Sequence, residues 1–339
     1  MPAHLTAEQT VSLRPDETTA LWQAARELAR SADLPALDAD GLTGLACGLV
    51  PALPPHLLRA LHAHRSGAGL DALLVTGLLP PDQEWGSTPP GSAAPLTGPD
   101  QAAALCLLGV ALQLGEPFTF RTFYEGRLVQ HVVPVPSMEH TQTSESSDGM
   151  LDWHVEDGFS PDRCDHVGLL CLRGEPAAYT RFTSARDLDL PDDVREVLSR
   201  PAFLMAPDTA HVLEDRRPVP TPVLWGPREA PQICYDAHYL SPPPDGGETA
   251  DRALRLLASE LDARQVEHTL APGELLLLDN RRTVHGRTPF TARGDGTDRW
   301  LLRTMICSSL PRYRECGARV RPPSEVPAAA SATPGKGAP

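Results

Sequence analysis

From residue 118 onward the apolar residues stop recurring at helical spacing and fall into short β-rich runs. These include "FTFRTFYEGRLVQHVVPV", "GMLDWHVED", "HVGLLCLRG", "AAYTRFTSA", "PQICYDAHYL", "GELLLLDN" and "RWLLRTMICSS", each bounded by Gly, Pro, Asp or Asn. Helical patterns interrupt them only at "PDDVREVLSR" and "GGETADRALRLLASELDARQ". Many short strands separated by turn residues predict a sheet sandwich or barrel with helices outside it. Residues 186–250 are proline-rich and read as an insertion between core strands, while 321–339 are too poor in large apolar residues to pack and are expected to be disordered.

Residues 1–115 read mainly helical. "RPDETTALWQAARELARSA" sets Leu21, Ala25, Leu28 and Ala29 on one face behind an acidic first turn. "PPHLLRALHAHR" is a shorter helix, "DALLVTGLL" a strand, and "GPDQAAALCLLGVALQLGEP" an apolar helix stopped by Gly115 and Pro117. His62 and His64 are two apart on a helix and therefore do not share a face. The 36 prolines are about twice the usual share and gather in loops such as 79–99.

The net charge of −14 argues against a nucleic-acid or anionic-membrane partner, because the long-range field repels phosphate. Seven scattered cysteines without a CxxC read as reduced thiols. With no secretory signal and no long apolar run, a cytoplasmic location is expected.

His154, Val155 and Glu156 lie on a predicted strand, where residues two apart point to the same face. A third ligand is available from "APGELLLLDNRRTVHGRTPF", which places His285 in a polar stretch just past a buried strand. Two histidines and one carboxylate with open positions suit non-haem iron(II). Arg299 follows His285 by 14 residues and Arg303 by four more, on one side of an apolar strand. A buried guanidinium is costly without an anion, so two of them beside a metal site call for carboxylates. Taken singly, each piece has a plain structural reading: a polar strand face, a capped loop histidine, arginines at a sheet edge. Their order is what points to a site.

With those residues in place, "LDWHVEDGFSPDRCDHVGLLCLRG" and "LLLLDNRRTVHGRTPFTARGDGTDRWLLRTM" resemble the iron(II)/2-oxoglutarate-dependent oxygenases of the clavaminate synthase-like group, which includes arginine and asparagine β-hydroxylases. Trp153 and Val155 stand where the family commonly has Phe and Thr. The resemblance covers roughly 70–315 and implies an α+β fold with a double-stranded β-helix (jelly-roll, cupin-like) core at 116–320 and flanking helices. It implies His154, Glu156 and His285 as iron ligands, with Arg299 and Thr180 holding 2-oxoglutarate and O2 as co-substrate. Arg303, Asp236, Gln130, Ser144 and His238 fall at or near substrate-binding positions. Asp236 matches an acid of the arginine enzymes, but His238 replaces their second acid. The stretches 186–250 and 141–149 are expected lids, and Asp157 a strand-end turn or a group behind the ligands. The implied reaction is hydroxylation of a free L-amino acid in natural-product biosynthesis. Desaturation or cyclisation, a carrier-tethered or peptidyl substrate, and a silent ligand-binding barrel stay open, as does the oligomeric state.

Overall fold

The structure, a computed structural model, describes residues 3–308 apart from 69, 214, 244 and 245, together with 310 and 320–321. The N-terminal part carries β1 (Thr10–Ser12), α1 (Pro15–Ser31), α2 (Ala39–Ala46), α3 (Pro55–Ser66), β2 (Ala72–Thr76) and α4 (Pro99–Ala111). Then come β3 (Glu116–Phe120), β4 (Gln130–Val132), β5 (Leu151–His154), β6 (His166–Arg173) and β7 (Thr180–Ser184). A stretch of small elements follows: α5 (Asp192–Leu198), β8 (Phe203–Met205), β9 (Val219–Thr221), β10 (Leu224–Trp225), β11 (Gln232–Ile233) and β12 (Leu240–Ser241). The chain continues through α6 (Gly247–Ala263), β13 (Val266–His268), β14 (Leu275–Asp279), β15 (Thr283–Arg287), β16 (Trp300–Cys307) and β17 (Val320–Arg321). The fold is a mixture of helices and largely antiparallel sheets, of the α+β kind.

The larger sheet runs β1-β2-β14-β6-β16-β3-β17, with β4 also on β16; the smaller runs β13-β7-β15-β5. Side-chain alternation along β14 shows how the layers stack. Leu275 and Leu277 pack with α1, α3 and α4, whereas Leu276 and Leu278 pack with Phe182 of β7, between the sheets. All four are fully buried, each stabilising the fold by about 1.5–3 kcal/mol. Helix α4 is buried from Ala102 through Ala111, because α1 and α2 cover the side turned away from the sheet. The outer face of the smaller sheet (Trp153, Val155, Val284) packs on α5, α6 and the small strands. The order is therefore helices, large sheet, small sheet, helices, and the space between the sheets is where inward polar residues meet.

Two sequence readings need adjustment. Strand β5 ends at His154 and does not run through Glu156, and His285 lies within β15 and not in a loop after β14. The expected tail begins at Arg321, which is in β17; residues 322–339 and Cys316 lie outside the described residues.

Behind the large sheet, His64 on α3 and His166 on β6 are fully buried with ring centroids 5.0 Å apart. His64 Nδ1 donates to the Leu70 carbonyl at 2.8 Å, while its Nε2 and both nitrogens of His166 lack a hydrogen-bond partner among the described residues. Burial, and then the neighbouring His64, push His166 down to about 3, and burial lowers His64 too. Both rings are neutral when folded but take protons in the unfolded chain below its ordinary histidine range. Their contribution is thus complete above about pH 6.5 and is lost as pH falls toward the folded values. The urea midpoint is expected to fall as pH is lowered from about 7 to 4, with a flatter slope in His166→Gln. An equal slope in that variant contradicts the assignment.

Candidate active site

The smaller sheet sets two imidazoles against each other. His285 on β15 is the direct cross-strand partner of His154 on β5, and their ring centroids are 4.3 Å apart. The close approach depends on Gly286, where an added Cβ would come within 2.5 Å of the Leu151 carbonyl oxygen. Beyond His154 the chain leaves the ladder, and Asn280, on the β14–β15 turn, takes over as its partner. Asn280 Oδ1 accepts from the Glu156 N–H at 2.8 Å, and Nδ2 donates to the carbonyls of Glu156 (3.1 Å) and Cys164 (3.0 Å). Asp157 then turns with φ +55°, a left-handed conformation that Asp tolerates better than most residues.

Ligand atoms of His154, Glu156 and His285 lie within 4.8 Å of one another. His154 Nδ1–H donates to the Asp152 carbonyl at 2.8 Å, which leaves Nε2 as its lone-pair nitrogen. His285 Nε2 is 3.5 Å from Glu156 Oε1. Burial raises the Glu156 carboxyl, but Arg303 and the two imidazoles outweigh burial and hold it well below the usual carboxylate range. Burial, and then His154, lower His285 to about 4. An anionic carboxylate and a neutral imidazole at pH 7 are the forms a divalent metal requires, so the donor set fits iron(II).

Three arginines surround this point. Arg303 Nη1 is 3.0 Å from Glu156 Oε1, its Nε donates to Gln130 Oε1 at 3.3 Å, and its buried Nη2 has no partner among the described residues. Arg299, just before β16, is 6 % exposed; burial lowers it to about 10, and no described residue pairs with it by hydrogen bond or salt bridge. Arg287 also faces the cavity, but its donors are spent on carbonyls and a hydroxyl of the 146–149 segment and Thr288. Thr180 is buried on β7 directly opposite Arg287 of β15.

The three metal-binding candidates, Arg299, Arg303, Thr180, Ser144, Asp236 and His238 line one cavity of about 80 Å³, between the sheets and the 208–239 segment. Ser144 Oγ bonds to Tyr124 Oη at 3.1 Å. Asp236 Oδ1 accepts from the N–H groups of His238 and Tyr239, both at 2.8 Å, and burial raises its carboxyl although His154 opposes this. Gln130 does not line the cavity: it is fully buried behind Arg303, with its amide donating to the Arg127 carbonyl. Its expected place among substrate contacts becomes one of support, because β4 pairs with β16 and turns Gln130 onto Arg303.

The sequence reading did not anticipate Asn280, Arg287 or the Asp157–His211 pair. Arg287 carried a signal, since it follows His285 by two on one strand. Asp157 Oδ1 and His211 Nε2 are 2.8 Å apart and nearly inaccessible, and His211 stacks on Phe123. Burial would lower His211, but Asp157 outweighs it and the imidazole is raised. Asp208, also raised by burial, lies in the same cluster. Nothing in the sequence ties 157 to 211.

Residues 94–305 match the family model described as taurine catabolism dioxygenase TauD, TfdA family. The chain belongs to the TauD/TfdA dioxygenase family. An enduracididine beta-hydroxylase of Streptomyces hygroscopicus is 34% identical over 334 residues, covering 90% of this chain and 96% of that one. An L-asparagine oxygenase of Streptomyces coelicolor is 40% identical over 267 residues, 78% of this chain and 79% of that one. Among solved structures, asparagine oxygenase in complex with Fe(II), 2S,3S-3-hydroxyasparagine and succinate aligns with a TM-score of 0.84 and 36% identity. That alignment covers 93% of this chain and 99% of the other. The non-heme iron oxygenase OrfP with Fe, succinate and (3S)-hydroxy-L-Arg gives 0.83 and 31%, over 92% and 99%. No helix among the described residues of this TauD/TfdA protein is long and apolar enough to cross a membrane.

Asn280→Ala strands three buried backbone groups and is expected to cost about 2–4 kcal/mol of stability in urea unfolding. In the same variant divalent-metal affinity should weaken about tenfold or more, since the Glu156 carboxylate loses its fixed backbone. Unchanged stability and affinity would show that Asn280 does not set the ligand.

Proposed function

We propose that this chain is an iron(II)- and 2-oxoglutarate-dependent hydroxylase of a free L-amino acid whose side chain carries N–H donors. The observation that carries this reading is the convergence of His154, Glu156 and His285 beside Arg299 and Arg303, two buried guanidiniums with donors to spare. The two facing sheets are read as the double-stranded β-helix core that the family resemblance implies. When bound between the three ligands, iron(II) couples the oxidative decarboxylation of 2-oxoglutarate by O2 to insertion of one oxygen atom into a C–H bond.

The chain's own part is placement. Arg299, which lines the cavity and has no hydrogen-bond or salt-bridge partner among the described residues, receives the distal carboxylate of 2-oxoglutarate, with the Thr180 hydroxyl as a second donor. Arg303 keeps Nη1 on Glu156 and offers Nη2 to the α-carboxylate of the amino acid, which fixes the carbon chain relative to the ligand set. Asp236 has a second carboxylate oxygen left for a guanidine, ammonium or amide. Asp208 and His238 also line the cavity. The relatives named for enduracididine and asparagine make such a side chain the natural candidate and are the ground for placing the reaction in natural-product biosynthesis. The free thiols of Cys47, Cys106, Cys164, Cys171 and Cys234 favour a cytoplasmic setting. The stretch between α5 and α6, which brings Asp208, Asp236 and His238 to the cavity wall, is read as a lid over it.

Aerobic incubation with iron(II), 2-oxoglutarate and a panel including arginine, citrulline, lysine and asparagine should give a gain of one oxygen on one member, read by mass spectrometry. Failure with every free amino acid overturns the free-substrate reading. His285→Ala is expected to abolish turnover in a folded protein. Arg303→Ala should raise the amino-acid KM by about tenfold or more, with a smaller change for 2-oxoglutarate; the reverse pattern exchanges the two arginine roles.

A further inference from the structure

Arg287 has a guanidinium that is 4 % exposed and a burial-lowered pKa of about 9, to which nearby Arg299 also contributes. It stands beside the proposed 2-oxoglutarate arginine, yet its hydrogen bonds run elsewhere. Nη1 donates to the carbonyls of Ser147 and Thr288, both at 3.1 Å. Nη2 donates to Ser146 Oγ at 2.9 Å and to the Gly149 carbonyl at 3.4 Å. The plane stacks over Phe290 at 4.8 Å, and the Phe290 N–H itself donates to Ser147 O at 2.9 Å. All but one of these acceptors belong to the 142–149 segment, which has no helix or strand of its own.

That segment is one wall of the cavity. Gln142, Thr143 and Ser144 line it, and Ser146 Oγ, held by Arg287, donates to the Thr143 carbonyl at 2.8 Å. Ser144 in turn bonds Tyr124, whose ring lies 5.8 Å from the Arg303 guanidinium. A continuous set of contacts therefore runs from the strand bearing His285, through Arg287 and the 142–149 segment, to Tyr124 beside the Arg303 guanidinium.

We propose that Arg287 is a positioning residue: it staples the 142–149 segment to β15, and so fixes the amino-acid side of the site without touching the oxoacid. A buried planar fork with several fixed acceptors is suited to hold a loop that lacks a ladder of its own. Anion binding fits Arg287 less well than Arg299, because four acceptors already occupy its terminal nitrogens.

The kinetic part of the test rests on the hydroxylase reading; the exchange part does not. Hydrogen exchange by mass spectrometry on the metal-free protein should show faster exchange of peptides spanning 142–149 in Arg287→Met, with peptides of β6 and β14 unchanged. Ser146→Ala, which removes one contact and leaves the guanidinium in place, should give a smaller change at the same peptides. Arg287→Lys should fall between wild type and Arg287→Met, because an ammonium cannot span the same acceptors. In turnover, the amino-acid KM is expected to rise about tenfold in Arg287→Met, the scale of losing one or two charged hydrogen bonds. The 2-oxoglutarate KM should stay within about twofold, and more succinate should form per hydroxylated product. Unchanged exchange at 142–149 in both Arg287→Met and Ser146→Ala overturns the staple, and so does a rise confined to the 2-oxoglutarate KM. A wild-type protein that hydroxylates nothing refutes the proposed function while leaving the exchange result to decide the role of Arg287.

Discussion

The tie between the Asn280 side chain and the backbone of Glu156 is the interaction on which the site depends. Strand β5 ends at His154; the Val155 N–H goes to the Tyr235 carbonyl, and it is the backbone of Glu156 that would otherwise lie unpaired in a buried position. Asn280 supplies an acceptor and a donor in one planar group, and a third bond reaches Cys164 at the start of the return to β6. The same turn feeds directly into β15. One short segment, Asn280 to His285, therefore sets both the carboxylate and the second imidazole, although they are far apart in sequence. Separate supports for each would let the ligand set drift. A shared one moves them together.

Charge inside the cavity follows a division that this geometry makes possible. Glu156 is held ionised by Arg303 and the imidazoles despite its burial, so the negative charge stays at the point where a cation is wanted. Arg303 is raised by the same pair, burial notwithstanding, and so stays charged with one nitrogen still free. Arg299 has no such partner among the described residues, and burial lowers it. A lone buried guanidinium of that kind is tolerable only if an anion arrives to share it. The protein as a whole carries −14, so its long-range field repels a dicarboxylate and draws in a cation. An oxoacid would then have to be retained by short-range buried donors, of which Arg299, just before β16, is the candidate.

The sheets were more legible in the sequence than the site's supports. "LLLLDN" reads as a strand buried on both faces, and β14 is one because helices cover one face and the smaller sheet the other. The HxE pair was found for a reason that is only half right: alternation explains His154, but Glu156 is past the strand and held by Asn280. His285 looked like a loop residue because its strand, "TVHGR", is short and polar; it faces a cavity, so the usual apolar alternation is absent. Arg299 and Arg303 stood out because guanidiniums among apolar residues are physically conspicuous. Asn280, Gln130 and His211 did not, because a buried amide or imidazole that satisfies a distant backbone or carboxyl leaves no local pattern. Their partners are set by tertiary packing alone.

The same distinction explains why the reaction class reads more easily than the substrate. His154, His285 and Arg303 sit on strands, with Glu156 and Arg299 just beyond strand ends, so a one-residue slip would turn the strand-borne three away from the cavity. Asp208, Asp236 and His238 come from the stretch between α5 and α6, built of two- and three-residue strands and turns. Asp236 is aimed by a backbone bridge to His154 and by two N–H donors from its own turn, so it is fixed. His238, two residues on, is exposed and held by little beyond an edge contact with Tyr239. An acid at that position would add a second charge for a guanidinium; an imidazole there can accept or donate. If Asp236 and His238 meet the substrate as proposed, side-chain preference would turn on an element that the sheets do not constrain, and it could change while the ligand candidates, Asn280 and the arginines stay as they are.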